Sequence, residues 1–73
     1  MKMKKTTLLR MAKAFTEYAT KNEVGQSLGF FAFKHGCDKQ LMVARFDELA
    51  PKYPTEATTA LICAQQCIKE ATA

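Results

Sequence analysis

The feature that most constrains this chain is a cluster of phenylalanines between two glycines, in the segment Gly29-Phe-Phe-Ala-Phe-Lys-His-Gly36. The segment contains three of the five phenylalanines of the sequence, Phe30, Phe31 and Phe33. In a helix, successive side chains turn by about 100°, so that Phe31 points roughly opposite to Phe30 and Phe33. One buried face therefore cannot hold all three rings. The segment must be packed on both sides, or it must present aromatic surface to a partner.

The size and charge of the chain limit what it does. Its 73 residues, of which 48% are hydrophobic, are enough for one small globular domain with a modest core. The net charge of +4 is uneven, because residues 1–21 carry +5 and residues 22–73 carry −1. An anionic partner would meet mainly the N-terminal part of the chain, where residues 1–5 are predicted to be a flexible basic segment. The alternative is a basic tail followed by an ordinary solvated helix face.

The cysteines and the apolar segments indicate a compartment. Three cysteines, Cys37, Cys63 and Cys67, form no even-numbered disulfide framework, which favours the reducing cytoplasm. Arg10 and Lys13 interrupt the apolar stretch behind the basic start, so a signal peptide is not expected. No run of 18 apolar residues is present, and we expect no membrane span.

The apolar spacing predicts a first helix over residues 7–20, capped by Thr6 or Thr7. Residues spaced by three and four positions form its buried stripe, namely Leu8, Met11, Ala12, Phe15 and Ala19. On the other side, Lys13, Glu17 and Lys21 are spaced for pairing within the helix.

A second helix is predicted from Asn22, as N-cap, to His35, with Gly36 as its stop. The residues expected on its core stripe are Val24, Leu28, Phe31 and His35, and those on the opposite face are Gly25, Gly29, Phe30 and Phe33. Glycines four residues apart would flatten that face and allow another backbone to approach. The competing interpretation is a strand over residues 28–33, but the flanking signals are helix caps and no second strand is available to pair with it.

Two further helices complete the prediction. Asp38 caps the third, which ends at Leu49 before Ala50-Pro51, and Thr55 caps the fourth, which continues to Ala71 after an extended connection over residues 51–54. The predicted apolar stripes are Leu41, Met42, Phe46 and Leu49 on the third helix, and Ala57, Ala60, Leu61, Ala64, Cys67 and Ile68 on the fourth. The sequence thus predicts one all-α domain over residues 1–73, a compact bundle of about four short helices.

A helix-turn-helix corner at Gly36-Cys37 is one possible functional feature. Two predicted helices meet there at a short turn containing glycine, as that motif requires. In this alternative function, a DNA-binding regulator would contact bases through Lys39, Gln40 and Ala44 on the third predicted helix, and phosphates through Lys2, Lys4 and Lys5 at the N-terminus. Against it, His35 and Arg45 stand where apolar residues are preferred, and Asp47-Glu48 would face phosphate unfavourably.

Metal and catalytic chemistry are weakly indicated. His35, Cys37, Cys63 and Cys67 together have the donor types of a zinc site, but no Cys-x₂-Cys knuckle is present. Cysteines in an alanine-rich stripe are more typical of small buried side chains. The position of Cys37 just before the third helix predicts a lowered thiol pKa, and hence redox sensitivity, without a catalytic partner set. We expect no enzyme activity, no metal and no cofactor.

The function predicted first is therefore a non-enzymatic interaction protein, an adaptor or inhibitor that binds and modulates a larger protein or nucleoprotein complex. Aromatic residues are enriched at binding hot spots. The predicted contact residues combine the two-faced second helix with apolar positions expected to be exposed, namely Gly25, Gly29, Phe30, Phe33, Val43, Tyr53 and Ile62. A homodimer through the face of Gly25, Gly29 and Phe33 is a natural variant, since a small chain gains core by self-association.

Overall fold

A computed structural model describes residues 3–73, which form an all-α bundle and contain no strand. The helices within this range are α1 (Lys5–Thr20), α2 (Leu28–Lys34), α3 (Lys39–Leu49) and α4 (Glu56–Thr72), with a 3₁₀ turn at Ala50–Lys52 between the last two. The predicted fold class is confirmed. In the same part of the chain, no helix has both the length and the apolar character that crossing a membrane requires.

The core is centred on the long helices α1 and α4, which make the most extensive helix–helix contact of the fold. Their buried residues are Leu8, Met11, Ala12, Ala14 and Phe15 on α1, and Thr59, Ala60, Cys63, Ala64 and Cys67 on α4. The α4 residues are all small, which lets the two backbones come close. The one buried hydroxyl among them, that of Thr59, donates to the carbonyl oxygen of Thr55 at 2.9 Å, so its burial carries little cost.

Helix α1 follows the predicted stripe but starts earlier. It begins at Lys5, and Lys4 is its N-cap without a side-chain hydrogen bond among the described residues. The predicted cap at Thr6 or Thr7 is therefore wrong, and Lys5 belongs to the helix instead of a flexible tail. Lys5 and Thr6 at the start of the helix are exposed, so water can satisfy their N–H groups without a side-chain cap.

Helix α2 is half as long as predicted, because the chain before it forms a loop. Asn22 closes that loop, since its side-chain oxygen accepts from the N–H of Gln26 and its amide donates to the Gln26 carbonyl at 2.6 Å. Within it, Gly25 has φ +70°, a left-handed conformation that interrupts a helix. Ser27 is the actual N-cap. Val24, predicted in the core, is 78% exposed.

The caps of the last two helices are confirmed. The carboxylate of Asp38 accepts from the N–H of Gln40 at 2.8 Å, and the hydroxyl of Thr55 accepts from the N–H of Thr58 at 3.1 Å. Helix α3 ends at Leu49 as predicted. The connection after it is wrong in detail, because Ala50–Lys52 form a 3₁₀ turn instead of an extended segment.

The buried faces of α3 and α4 differ from the predicted stripes. On α3, Met42 and Leu49 are buried while Leu41 is exposed. On α4, Thr59 and Cys63 are buried in place of three residues that the stripe included and that are in fact exposed, namely Ala57, Leu61 and Ile68. Close packing against α1 explains this rotation, since the inward side chains are all small and the larger Leu61 and Ile68 lie at the edge.

Candidate protein-binding surface

Hydrogen bonds at both ends fix helix α2. At its start, the Ser27 hydroxyl accepts from the N–H of Phe30 at 3.2 Å. At its end, the N–H of Gly36 donates to the Phe33 carbonyl at 3.1 Å and the N–H of Cys37 donates to the Ala32 carbonyl at 2.8 Å. This pair of bonds is the Schellman arrangement, which requires a left-handed residue, and Gly36 supplies it with φ +68°. The predicted stop at Gly36 is confirmed.

One aromatic anchor attaches α2 to the core. Phe31 is only 3% exposed and contacts the ring of Tyr18 edge to face, with centroids 6.0 Å apart. Tyr18 makes the same kind of contact with Phe46 of α3, at 5.9 Å. Such edge-to-face contacts add to the stabilisation from burial. The chain of rings therefore ties α1, α2 and α3 together.

A charged contact holds the C-terminal end of α2 against α1. The ammonium of Lys34 donates to Oε1 of Glu17 at 2.9 Å. Nε2 of His35 lies 3.1 Å from the same oxygen, although the ring N–H forms no directed hydrogen bond within residues 3–73. The contacts with Lys34 and His35 lower the pKa of Glu17 to about 2. The predicted pairing of Glu17 within α1 is thus replaced by pairing with another helix.

The two remaining phenylalanines of the segment face solvent. Phe33 is 87% exposed and Phe30 is 44% exposed. Phe30 leans on Phe31, with ring centroids 5.2 Å apart in an edge-to-face contact. Together with Gly29, these two residues form what we call the aromatic surface. The conflict predicted from the sequence is resolved by placing one ring in the core and two outside it.

Gly29 lies beside Phe33 on α2 and makes room for a side chain. A Cβ at this position would come within 3.1 Å of Cδ and Cε of Lys39. The aliphatic part of Lys39 therefore crosses α2 over this glycine. The close approach expected of another backbone is taken up by a lysine stem of the neighbouring helix.

The structure does not bring all predicted contact residues to one face. Gly25 lies in the loop before α2, so the helix face of Gly25, Gly29 and Phe33 proposed for a homodimer does not exist. Tyr53 and Ile62 are half-buried against the core, and Val43 is half-buried on α3, so Val43 and Ile62 are not the exposed positions that the sequence predicted.

Exposed apolar residues outside the prediction line a second feature. Leu9 of α1 and Ile68 of α4 are partly exposed and flank an open groove of about 460 Å³ between these helices. No pattern in the sequence distinguishes Leu9 from Leu8, because adjacent residues such as Met11 and Ala12 are both buried in the same helix. Ile68 was wrongly placed in the core.

The candidate DNA-contacting residues are exposed but surrounded by mixed charge. Lys39, Gln40 and Ala44 lie on the exposed side of α3. The same helix exposes Asp47 and Glu48. At the start of α1, Lys4 and Lys5 are exposed, and Lys2 lies outside the described residues.

The candidate metal ligands do not come together at one site, because they contact different residues. Cys63 and Cys67 are buried, and the guanidinium of Arg45 lies 3.7 Å from Sγ of Cys67 while it binds the Glu70 carboxylate at 2.6 and 2.9 Å. His35 faces Glu17 instead. Among residues 3–73, no group of three or more His, Cys, Asp or Glu side chains is placed to hold a metal ion.

The thiols are kept protonated. Burial raises the pKa of Cys63 to about 11 and also raises the pKa of Cys67. Burial likewise raises the pKa of Cys37, whose Sγ lies 3.7 Å from the His35 carbonyl. The predicted lowering of the Cys37 pKa is therefore wrong, because burial raises it although Arg10 acts in the opposite direction.

Comparisons of the chain with protein-family models, with curated proteins and with solved structures give no match. The functional interpretation therefore depends on the exposure, contacts and charge of the residues themselves.

Proposed function

We propose that this protein is a small non-enzymatic interaction module that binds a larger protein or nucleoprotein complex through its aromatic surface, as an adaptor or inhibitor. The observation that carries the proposal is the 87% exposure of Phe33 on a helix whose two ends are capped. Exposing such a ring to water is unfavourable, and a partner that covers it gains the free energy of its burial.

The aromatic surface has the rigidity that recognition favours. Phe30 rests on the buried ring of Phe31, and the Lys34–Glu17 contact fixes the end of α2. A phenylalanine has few rotatable bonds, so little side-chain entropy is lost when a partner covers it. The capped helix therefore presents both rings without rearrangement of the bundle, and Phe30 is held in place by Phe31.

The proposed compartment is the cytoplasm. All three cysteines are free in the structure, and burial keeps their thiols protonated. Free thiols are typical of proteins in a reducing environment.

Capture experiments with matched variants test the proposal. Wild type, Phe33→Asp and Leu61→Asp are each immobilised, and captured proteins are quantified by mass spectrometry; any captured protein is then purified and titrated by calorimetry. Leu61 is an exposed apolar residue of α4 and serves as the control for a charge placed on apolar surface. We expect a partner whose affinity falls at least about tenfold with Phe33→Asp and stays unchanged with Leu61→Asp. Equal binding by all three proteins would exclude the aromatic surface as the contact.

The same material separates protein binding from DNA binding. In the alternative function as a helix-turn-helix regulator, Lys39→Glu abolishes a sequence-specific shift of duplex DNA while Phe33→Asp leaves it intact. Binding that is specific for one duplex and survives salt titration would replace the proposal by this alternative. Weak binding that falls equally with salt on every duplex would indicate only general attraction to the basic chain.

A further inference from the structure

The open groove between α1 and α4 has a composition that suggests its own ligand. It is lined by Leu9, Ala12, Lys13, Thr16, Glu17, Lys21 and Ile68. Leu9 and Ile68 form apolar walls, and buried Ala12 lies at the base. The hydroxyl of Thr16 donates to the Ala12 carbonyl at 2.8 Å, so it is occupied within α1. The floor of the groove is therefore mainly apolar.

The edge of the groove is positively charged. Lys13 and Lys21 are exposed, and neither forms an ion pair within residues 3–73. The one carboxylate in the lining, Glu17, is already bound by Lys34 and lies against His35. Its charge is thus compensated, and an incoming anion meets two unpaired ammonium groups.

The shape indicates a helix as the occupant. The lining follows α1 from Leu9 to the C-cap residue Lys21, a rise of about 18 Å along the helix axis, or a little over three turns. The groove is open to solvent, whereas small-molecule sites enclose most of their ligand. An amphipathic helix laid in such a groove buries only its apolar face and keeps its polar face in water.

We propose that this groove binds an acidic amphipathic helix of about three turns from a partner protein. Its apolar residues would pack on Leu9, Ala12 and Ile68, and carboxylates beside them would pair with Lys13 and Lys21. A second copy that docked through the same face would place Lys13 and Lys21 against their own counterparts, so it fits poorly. The groove shares no residue with the aromatic surface, so the two proposals stand separately.

The test uses the full chain, labelled with ¹⁵N, and two synthetic helical peptides of about 14 residues. Both peptides carry leucines spaced by three and four positions, and their flanking residues are glutamates in one and lysines in the other. Amide shifts locate the site and fluorescence anisotropy gives the affinity. We expect the acidic peptide to bind saturably, with the largest shifts along Leu9–Lys21 and at Ile68, and the basic peptide to bind far more weakly.

Paired charge reversals separate this groove from general attraction. Lys13→Glu with Lys21→Glu should weaken the acidic peptide about tenfold and favour the basic one, whereas Lys39→Glu with Lys52→Glu, the same change of net charge outside the groove, should weaken it less than about threefold. Equal weakening by both pairs, or shifts confined to other surfaces, would overturn the proposal.

Two further measurements address the other occupants. Light scattering that shows a dimer whose dissociation exposes the groove amides would assign the groove to self-association and overturn the proposal. Binding to phosphatidylglycerol vesicles without binding to the acidic peptide would assign it to a membrane surface. Phe33→Asp should leave peptide binding unchanged, so that failure of the aromatic-surface proposal and failure of this one are distinguishable.

Discussion

The α1–α4 pair and the α2–α3 corner stabilise the same bundle in different ways. In the pair, two long helices come together through alanines, cysteines and a threonine around Phe15, and few hydrogen bonds outside the helices are involved. In the corner, a helix of seven residues depends on a serine cap, a glycine stop and one buried ring, Phe31. Burial of side chains stabilises the α1–α4 pair, whereas local hydrogen bonding and backbone geometry define the α2–α3 corner.

The difference explains where the molecule can display apolar residues. The faces of α1 and α4 that are directed at each other form the core, so these helices expose apolar residues only at the margins of the contact. Helix α2 needs just Phe31 and Ala32 inside, which leaves Phe30 and Phe33 available outside. A region that is fixed by caps can expose large side chains at little cost to the fold.

Phenylalanine truncations give the largest expected contrast between the two regions. Phe15→Ala should lower the free energy of unfolding by about 3–5 kcal/mol, because the ring is fully buried and the cavity cannot be refilled from short neighbours. Phe33→Ala should change it by less than about 0.5 kcal/mol. Urea unfolding followed by circular dichroism measures both. A loss of several kcal/mol with Phe33→Ala would mean that the aromatic surface is structural.

Glycine substitutions test whether local geometry determines the corner. Gly36→Ala should destabilise by about 1–2 kcal/mol, since alanine is strained in the left-handed region. Gly29→Ala should stabilise by up to about 1 kcal/mol through helix propensity, because only the flexible stem of Lys39 has to move. Thermal unfolding of the two variants should therefore shift in opposite directions, and a shift in the same direction would contradict this description of α2.

The ion pair of Arg45 with Glu70 joins the two regions. It should contribute less to the free energy of unfolding than the residues substituted above. A double-mutant cycle with Arg45→Met and Glu70→Gln should give a coupling of about 0.5–1 kcal/mol, since the pair is bidentate but Glu70 is half exposed. The coupling should shrink in 1 M salt. A coupling near zero would show that α3 is held on α4 by apolar packing alone.

The Glu17 contact predicts a small dependence of stability on pH. Its pKa falls from 4.5 to about 2 on folding, so its contribution is fully present above pH 4.5 and is lost as the pH falls from there toward 2. Glu17→Gln should flatten the stability profile in this window and lower the stability above it, where the contribution of Glu17 is fully present. Glu70, whose pKa Arg45 also lowers, should account for part of the slope that remains. An unchanged slope in Glu17→Gln would contradict the Lys34 contact.

Features that depend on neighbouring residues could be predicted from the sequence. Asp38 and Thr55 as caps, Gly36 as a stop and the stripe of α1 all follow from short-range hydrogen bonding and helical spacing. The start of α2 could not be predicted as safely, because Asn22 and Ser27 are both good caps. The left-handed Gly25 between them decides for Ser27, and glycine alone does not reveal its φ.

The parts of the candidate sites that were missed depend on contacts between distant residues. The carboxylate of Glu17 has lysines four residues away on either side, yet it pairs with Lys34 seventeen positions along. The rotation of α4 that exposes Ile68 is set by the close approach of α1. The groove exists only once these two helices pack, so no single segment of the sequence indicates it.

The positions of the cysteines allow the opening of each region to be followed separately, through the rate at which its thiols are labelled. Cys63 and Cys67 are buried on α4, where Arg45 of α3 lies 3.7 Å from Sγ of Cys67, so a thiol reagent can reach them only when the packing around α4 opens. Cys37 sits partly exposed at the corner, and its labelling follows smaller and more frequent openings there. The labelling rates of the three thiols, measured together in the native protein, would therefore show whether the α2–α3 corner opens independently of the core.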